Sequence, residues 1–554
     1  MALHNQNYSS SSALISARRE MVLQAYNSAM AENHFRFLNG DDKATKEYIF
    51  PNQMEDAMGI VDKFYKIKCR VISIQKKTKV GADGLMIEIA KLLTTHIDDE
   101  FVLDPDNIRI ITGMSNAGWE KDMIDKAPNC FKKNIFHHGK LQRADIMNLK
   151  NGIIIIDEID TGDKEYQVLH NTLKDAGVLD VEHMNTLNNR FVFISATMIK
   201  ELYDLYRWGD LHHLCKMTIP TSYFGHKDFL DNGIVKEFYS LHTPKNAEDW
   251  VQNDILDNYK NDYRIHIVRV NTKTLDIILK ECNKHKNIVL KNHTSTNRVS
   301  DETMQEIFKE PLKTHIVLCV KGFFRRANLI PNSWKLRIGA THELYTKVVD
   351  NNVQIQGLTG RMTGYWRDDI VNGHKTGPHR TSIRAIQQYE NTYNDPFGTN
   401  SYQTNGFKKN KGKVSSKPTL LSTKHIKNIE AVELPLVQDE KVDINSYRIY
   451  ANEDIVKSVC TILGYTYLPT KDNKDGFKET SLNQKKSVVS LKNAVKKVPT
   501  AYGTTNGVLS YRTYYPCYED TSDKTSLRFV VILRPETAEH KIKECDKKYK
   551  NAHE

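Results

Sequence analysis

The chain has no cysteine pair at CxxC spacing, and its eight cysteines (Cys69, Cys130, Cys215, Cys282, Cys319, Cys460, Cys517 and Cys545) are scattered over 554 residues. That excludes a small disulfide-stapled scaffold and a zinc ribbon, and leaves reduced, mostly structural thiols. Apolar runs longer than a strand are also missing, and the serine- and asparagine-rich start has no hydrophobic core of the kind a secretory leader needs. A soluble, cytoplasmic protein with no membrane partner is the expectation. His137-His138 and His212-His213 lack further ligands at metal spacing, which argues against zinc. No repeat of fixed period occurs beyond two alternating strand–helix halves.

What is present is size and a mild basic excess. At 63.8 kDa the chain is long enough for about three or four ordinary domains. Lysine and arginine exceed aspartate and glutamate by 79 to 68, a net charge of +11, which mildly favours a polyanionic partner. Abundant Asn, Lys, Ile and Tyr fit an AT-rich coding genome, such as a virus, with a viral factory or virion as further locations.

Residues 1–44 read as a flexible start followed by a docking helix. From 45 to 242, strand-like runs (Arg70 to Ile74, Ile108 to Thr112, Ile153 to Ile156, Phe191 to Ile194) alternate with helical segments, the pattern of a doubly wound parallel sheet. A second block of the same class spans 255–392, with strands at Ile265 to Val270, Asn287 to Leu290 and Ile316 to Val320. Residues 393–425 contain the run Lys408-Lys409-Asn410-Lys411-Gly412-Lys413 and read as a basic linker. The remainder, 426–554, mixes strands and helices as a small α+β domain, a candidate surface for protein partners.

The run Gly152-Ile153-Ile154-Ile155-Ile156-Asp157-Glu158-Ile159-Asp160 is the most telling stretch. Four β-branched residues make a buried strand that delivers carboxylates to its end, where open α/β sheets bind ligands, so metal and phosphate chemistry is the natural reading. A second apolar strand, Phe191-Val192-Phe193-Ile194, ends in Ser195-Ala196-Thr197. Together the two resemble motifs II and III of superfamily two helicases. In Val353-Gln354-Ile355-Gln356-Gly357-Leu358-Thr359-Gly360-Arg361-Met362-Thr363-Gly364-Tyr365 the chain is similar to motif VI, in the variant form of some phage and large-DNA-virus members, with Gly364 where a second arginine usually stands.

The resemblance covers about residues 45–390 and implies two RecA-like lobes with ATP between them and a single strand of DNA or RNA across both. It implies that Asp157 holds Mg²⁺ through water, that Glu158 orients the attacking water, and that Arg361, beside Gln356, stabilises charge on the transferring phosphoryl group. Ser195 and Thr197 would link hydrolysis to lobe closure, and Gln53 resembles the glutamine that pairs with adenine. For nucleic acid, Thr112, Gly113 and Trp119 resemble motif Ia, His138 lies where motif Ib would be, and Arg325 and Arg326 occupy the position of motif V.

The phosphate loop departs from the pattern. Aligned on Gly81, the segment Thr78-Lys79-Val80-Gly81-Ala82-Asp83-Gly84 resembles motif I, yet Ala82 stands where the phosphate-binding lysine belongs and Asp83 where the Mg²⁺-binding Ser/Thr belongs. Ala82 removes a cation and Asp83 adds an anion beside the phosphates. Lys76, Lys77 and Lys79 lie on the loop rather than at the helix start, so whether they restore the charge stays open. Two readings follow: a nucleic-acid-dependent NTPase of helicase or translocase type, or a catalytically silent helicase-like binder or scaffold.

Overall fold

The computed structural model describes residues 3–67, 69–96, 103–114, 117–161, 167–294, 296–324, 330–347, 349–397, 407–410, 413–416, 419–432, 446–465, 489–498, 504–505, 508–509, 513–534 and 537–552. They form two compact units, Met1–Leu436 and Val437–Glu554.

The first unit opens with helices α1 (Leu3–Leu38), α2 (Pro51–Lys66) and α3 (Ala82–Thr95) and with the strands β1 (Val71–Gln75), β2 (Ile108–Thr112), β3 (Ile135–His137), β4 (Ile153–Asp157), β5 (Arg190–Ser195) and β6 (His212–Lys216). Helix α4 (Ala117–Lys126) follows β2. All six strands pair in parallel, in the order β3-β2-β4-β5-β1-β6. The isoleucine run is its centre: Ile153 and Ile155 enter the core shared with α1, α2 and α3, while Ile154 and Ile156 enter the core on the opposite face. All four are fully buried, which is why this strand carries no polar alternation.

A second parallel sheet runs β7-β12-β11-β8-β10-β9. Its strands are β7 (Val235–Glu237), β8 (Ile265–Arg269), β9 (Ile288–Thr294), β10 (His315–Lys321), β11 (Ile338–His342) and β12 (His379–Thr381). Two helices at its edge matter below, α5 (Leu358–Met362) and α6 (Ile383–Asn394). The two sheets, each with a core on both faces, are two RecA-like lobes.

β11 reads poorly from sequence because of Gly339. A Cβ there would stand 2.7 Å from the His266 ring, so only glycine lets the buried imidazole pack against the strand. Strands β3, β7 and β12 have three residues each, and β6 begins with two histidines, so neither length nor apolarity marks them.

The basic stretch 393–425 is more than a tether. Beyond the hairpin β13 (Phe407–Asn410) and β14 (Lys413–Ser416), residues 419–432 lie back on the first lobe as a strap. Leu420 and Leu421 are buried in its core, the Trp208 indole N–H donates to Leu421 O at 2.8 Å, and Thr419 Oγ1 donates to Asp204 at 2.7 Å. Three leucine and isoleucine side chains outweigh the polar composition that suggested a linker.

The second unit holds β15 (Tyr447–Tyr450), the short pair β16 (Thr504–Thr505) and β17 (Val508–Leu509), β18 (Tyr514–Tyr518) and β19 (Leu527–Ile532), with an antiparallel sheet ordered β15-β19-β18. Helices α7 (Glu453–Leu463) and α9 (Glu539–Lys548) share a core on one face, and α8 (Leu491–Val495) covers the other. Tyr514 and Tyr515 are buried in these cores, so their rings are packing; Tyr511 and Arg512 lie outside the described residues. Among the described residues no helix is long and apolar enough to cross a membrane.

Candidate functional site

The loop from β1 to α3 sits at the C-terminal edge of the first sheet, and most of its residues are tied to a partner. Gly81 is the N-cap of α3 with φ +92°, a left-handed conformation, and a Cβ there would collide with the Gln53 side chain; both facts demand glycine. Gln53 is buried, its Oε1 accepting from the Phe50 N–H at 2.9 Å and its Nε2 donating to Gly81 O at 2.5 Å. The glutamine expected to read adenine thus braces the loop between β1 and α3. Beside it lies a cavity of about 150 Å³ lined by Asn33, Phe50, Gln53, Gly84 and Lys126. Ala82 is buried and Gly84 faces the Gln53 amide.

Lysines lie against the acidic residues of this loop and of the β4 end. Lys76 is the residue immediately after β1, and its ammonium lies 2.7 Å from Asp157 Oδ1 and 3.5 Å from Glu158 Oε1. Burial alone would lower its pKa, but Asp157 and Glu158 raise it above the ordinary lysine value. Asp83 is paired with Lys126 of α4 at 2.5 Å; burial opposes its ionisation, and Lys126, with Lys76 and Lys79 beyond, holds it below the usual carboxylate range. Lys79, at φ +58°, has no hydrogen bond or ion pair among the described residues. Burial and the nearby Arg361 guanidinium push its pKa well down. Lys77 points the other way, to α6, where it pairs with Glu390 at 2.7 Å and sits 3.8 Å from the Tyr393 ring centre.

At the end of β4 the carboxylates converge. Asp157 Oδ2 accepts from the indole N–H of Trp119 at 3.1 Å, so each Asp157 oxygen accepts from a protein donor. This corrects the expectation for Trp119: the ring is 5% exposed and belongs to the carboxylate cluster, not to a stacking surface. The spacing could not reveal this, because the contact joins residues 38 apart in the chain. Glu158 has φ +57°, a strained conformation for a residue with a long side chain, at a cost of about 1–3 kcal/mol. Asp160 accepts from Ser195 Oγ at 2.7 Å and Thr197 Oγ1 at 2.8 Å, so the hydroxyl pair after β5 is held by the third acidic residue.

The second lobe closes on this cluster. Gln356 Nε2 lies 3.4 Å from Glu158 Oε2 and 3.5 Å from Thr197 Oγ1, and its Oε1 accepts from Arg361 Nη2 at 3.0 Å. Arg361, on α5, is 2% exposed. Further ties join the β1–α3 loop to the second lobe: Thr363 Oγ1 donates to Thr78 O at 2.9 Å and Tyr365 OH to Val80 O at 2.7 Å. Tyr365 also stacks on Phe50, with ring centres 4.8 Å apart. Lys335 was not singled out by the sequence. It is buried, donates to Thr363 O at 2.7 Å, and fills the side on which a Gly364 Cβ would project, 2.6 Å away. Burial, with Arg361 nearby, pushes its pKa down to about 7.

Of the residues expected on nucleic acid, Thr112 is fully buried with its Oγ1 accepting from Met114 N–H, and Gly113 N–H donates to Asp157 O at 3.3 Å. His138 is half-buried and its backbone N–H donates to Met114 O at 3.1 Å, bringing the loops after β2 and β3 together. Arg325 and Arg326 lie outside the described residues.

No model of a known protein family matches the chain, and no curated protein matches its sequence. Among solved structures, it is similar to Saccharomyces cerevisiae Dbp5 bound to Gle1 and IP6, with 11% identity over 63% of this chain and 91% of that one and a TM-score of 0.34. A DEAD box protein from the hyperthermophile Methanococcus jannaschii gives 14% identity over 61% and 90% of the two chains and a TM-score of 0.30. The Sulfolobus solfataricus SWI2/SNF2 ATPase core in complex with dsDNA gives 12% identity over 53% and 81% and a TM-score of 0.24. The assignment of two RecA-like lobes rests on the sheet topology described above.

Proposed function

We propose that the chain is a nucleic-acid-dependent NTPase of the superfamily two helicase type, close to its phage and large-DNA-virus members, taking ATP between the lobes and a single strand across them. The observation that supports this most is the side-chain path Glu158–Gln356–Arg361, which joins the two lobes through contacts of 3.4 and 3.0 Å. Under this reading Glu158 orients the attacking water, Gln356 sets Glu158 and Arg361 in register, and Arg361 stabilises charge that develops on the phosphoryl group. Lys76 and Lys79 supply the positive charge that Ala82 does not, and the backbone N–H groups at the start of the 14-residue helix α3 face the phosphates.

A second reading, a silent helicase-like binder or scaffold, is favoured by one specific observation: Asp83, at the start of α3, is consumed by its pair with Lys126. Steady-state ATP hydrolysis with and without single-stranded DNA and RNA separates the two. The first reading expects strand-stimulated hydrolysis that falls by about 10²-fold or more in Glu158→Gln and in Arg361→Ala. No hydrolysis until Ala82→Lys and Asp83→Thr are introduced, with strand binding indifferent to ATP, would establish the silent binder instead.

A further inference from the structure

We infer that this cleft takes a polyphosphate without a divalent cation, because the ammonium of Lys76 holds the place on Asp157 that a metal would take. The inference rests on the nucleotide reading of the site and concerns what neutralises the phosphates there.

The donor set does not fit a magnesium ion. A divalent cation of this size needs carboxylate oxygens that face outward, directly or through water. Asp157 Oδ1 accepts from Lys76 at 2.7 Å and Oδ2 from Trp119 at 3.1 Å, so a metal would have to displace a buried ion pair. Asp83 is paired with Lys126 at 2.5 Å. Glu158 lies within 3.5 Å of Lys76, 3.3 Å of Ser195 Oγ and 3.4 Å of Gln356 Nε2. Among the described residues no group of three or more His, Cys, Asp or Glu side chains stands where a metal could be held.

The same cleft is rich in cations that an anion would satisfy. Lys76 pairs with Asp157 and Glu158 and Lys126 with Asp83, while Lys335 donates to Thr363 O and Arg361 to Gln356 Oε1. Lys79 stands out, since it is only partly buried and makes no hydrogen bond or ion pair among the described residues, so its ammonium is open to an oxygen anion. Its neighbours Arg361 and Lys335 are cations, and a phosphate chain running from Lys79 toward Lys76 would be countered by side chains alone. Lysine and arginine thus provide the charge that a metal usually provides, with the Lys76–Asp157 pair as the fixed element.

The full chain tests this in two arms. In the first, Mn²⁺ is titrated into the protein and followed by its electron paramagnetic resonance signal. The wild-type chain is expected to leave the free-ion signal unchanged, while Lys76→Ala, which uncovers Asp157 and Glu158, should bind one Mn²⁺ per chain; Lys76→Met, which keeps a long unbranched side chain but has no donor, should do the same and covers the case in which Lys76→Ala does not fold. A stoichiometric Mn²⁺ site in the wild-type chain would overturn the inference. In the second arm, fluorescently labelled ATP and inorganic tripolyphosphate are bound in magnesium and in EDTA. Equal Kd values within about twofold support the inference, and binding lost in EDTA overturns it. Tripolyphosphate binding without ATP binding would sink the nucleotide reading while supporting metal-free polyphosphate recognition, and binding of neither would overturn both.

Discussion

The indole N–H of Trp119 donates to Asp157 Oδ2 at 3.1 Å, on the side of the carboxylate away from Lys76. A tryptophan placed by its sequence neighbourhood beside a nucleic-acid strand is therefore part of the acidic centre. Trp119→Phe keeps an aromatic ring of smaller volume and removes the donor. Leaving one Asp157 oxygen without it should cost about 1–3 kcal/mol in denaturant unfolding. Affinity for a labelled single strand, read by anisotropy, should stay unchanged. A large loss of strand affinity at unchanged stability would return Trp119 to the binding face.

Lys77 ties the lobes. Its ammonium pairs with Glu390 at 2.7 Å and lies 3.8 and 4.6 Å from the ring centres of Tyr393 and Tyr389, all on α6, while its backbone belongs to the phosphate loop. Both partners of the pair are about nine-tenths buried, at 9% and 12% side-chain exposure, so removing one leaves an uncompensated charge worth about 3–5 kcal/mol. Lys77→Ala should speed hydrogen exchange in residues 76–81 and in α6 while leaving the interior of the first sheet protected. Adding Glu390→Ala should restore part of the loss, because the stranded carboxylate goes with it. Unchanged exchange in Lys77→Ala would mean that the Thr363 and Tyr365 contacts suffice to hold the loop.

Much of this was legible in advance, and what was not has a physical cause. The central strands, the carboxylates at the end of β4 and the hydroxyls after β5 announce themselves through apolar runs ending in polar residues, a local signal, while the arginine of α5 stands out only through the resemblance to motif VI. The loop at 76–84 matched in Thr78, Gly81 and Gly84 but not in its charged positions, and the left-handed N-cap at Gly81 is a backbone requirement that survives when the side-chain chemistry changes. The roles of Lys76, Lys126 and Lys335 depend on distances across the fold: Lys126 reaches Asp83 from the end of α4, and Lys335 reaches Thr363 from the end of the short helix Asn332–Lys335 before β11. No spacing rule carries such contacts. The strap at 419–432 was hidden for a different reason, since a few apolar side chains in a polar stretch decide its path.

The second lobe should be acid-sensitive. His342 and His379 are buried, and burial holds the pKa of each down to about 3; His266 is likewise lowered well below the ordinary value, by burial first and then by His315. Each must stay neutral in the fold, since His266 Nδ1 accepts from Ala340 N–H at 3.0 Å. A folded pKa below the unfolded one means that the unfolded chain binds protons first. Stability is therefore full above about pH 6.5 and falls as pH drops toward 3, by about 2 kcal/mol per histidine at pH 5. Urea unfolding at about pH 7.5 and pH 5 measures the slope, and His379→Gln should reduce it by one proton. A slope unchanged by that substitution would show that His379 titrates alike in both states.

Glu343 sets the position of the arginine helix. Its carboxylate, 2% exposed at the end of β11, accepts from the Leu358 N–H at 2.9 Å at the start of α5 and is paired with Arg269. Arg269 in turn donates to the carbonyls of Phe323 and Phe324, at 3.1 and 2.9 Å, so one ion pair joins the loop after β10 to the helix that carries Arg361. Gly357 is glycine because a Cβ there would meet the same carboxylate. Glu343→Gln keeps the shape and an acceptor but loses the charge against Arg269. If ATP is hydrolysed through Arg361, kcat should fall about tenfold or more while the nucleotide Kd changes little, the pattern of a group that acts through the geometry of another. Arg269→Ala should lower kcat in the same way, and the two substitutions together should cost less than their sum. A Kd that rises with kcat intact would instead put Glu343 in nucleotide binding and leave Arg361 positioned by its contact with Gln356 alone.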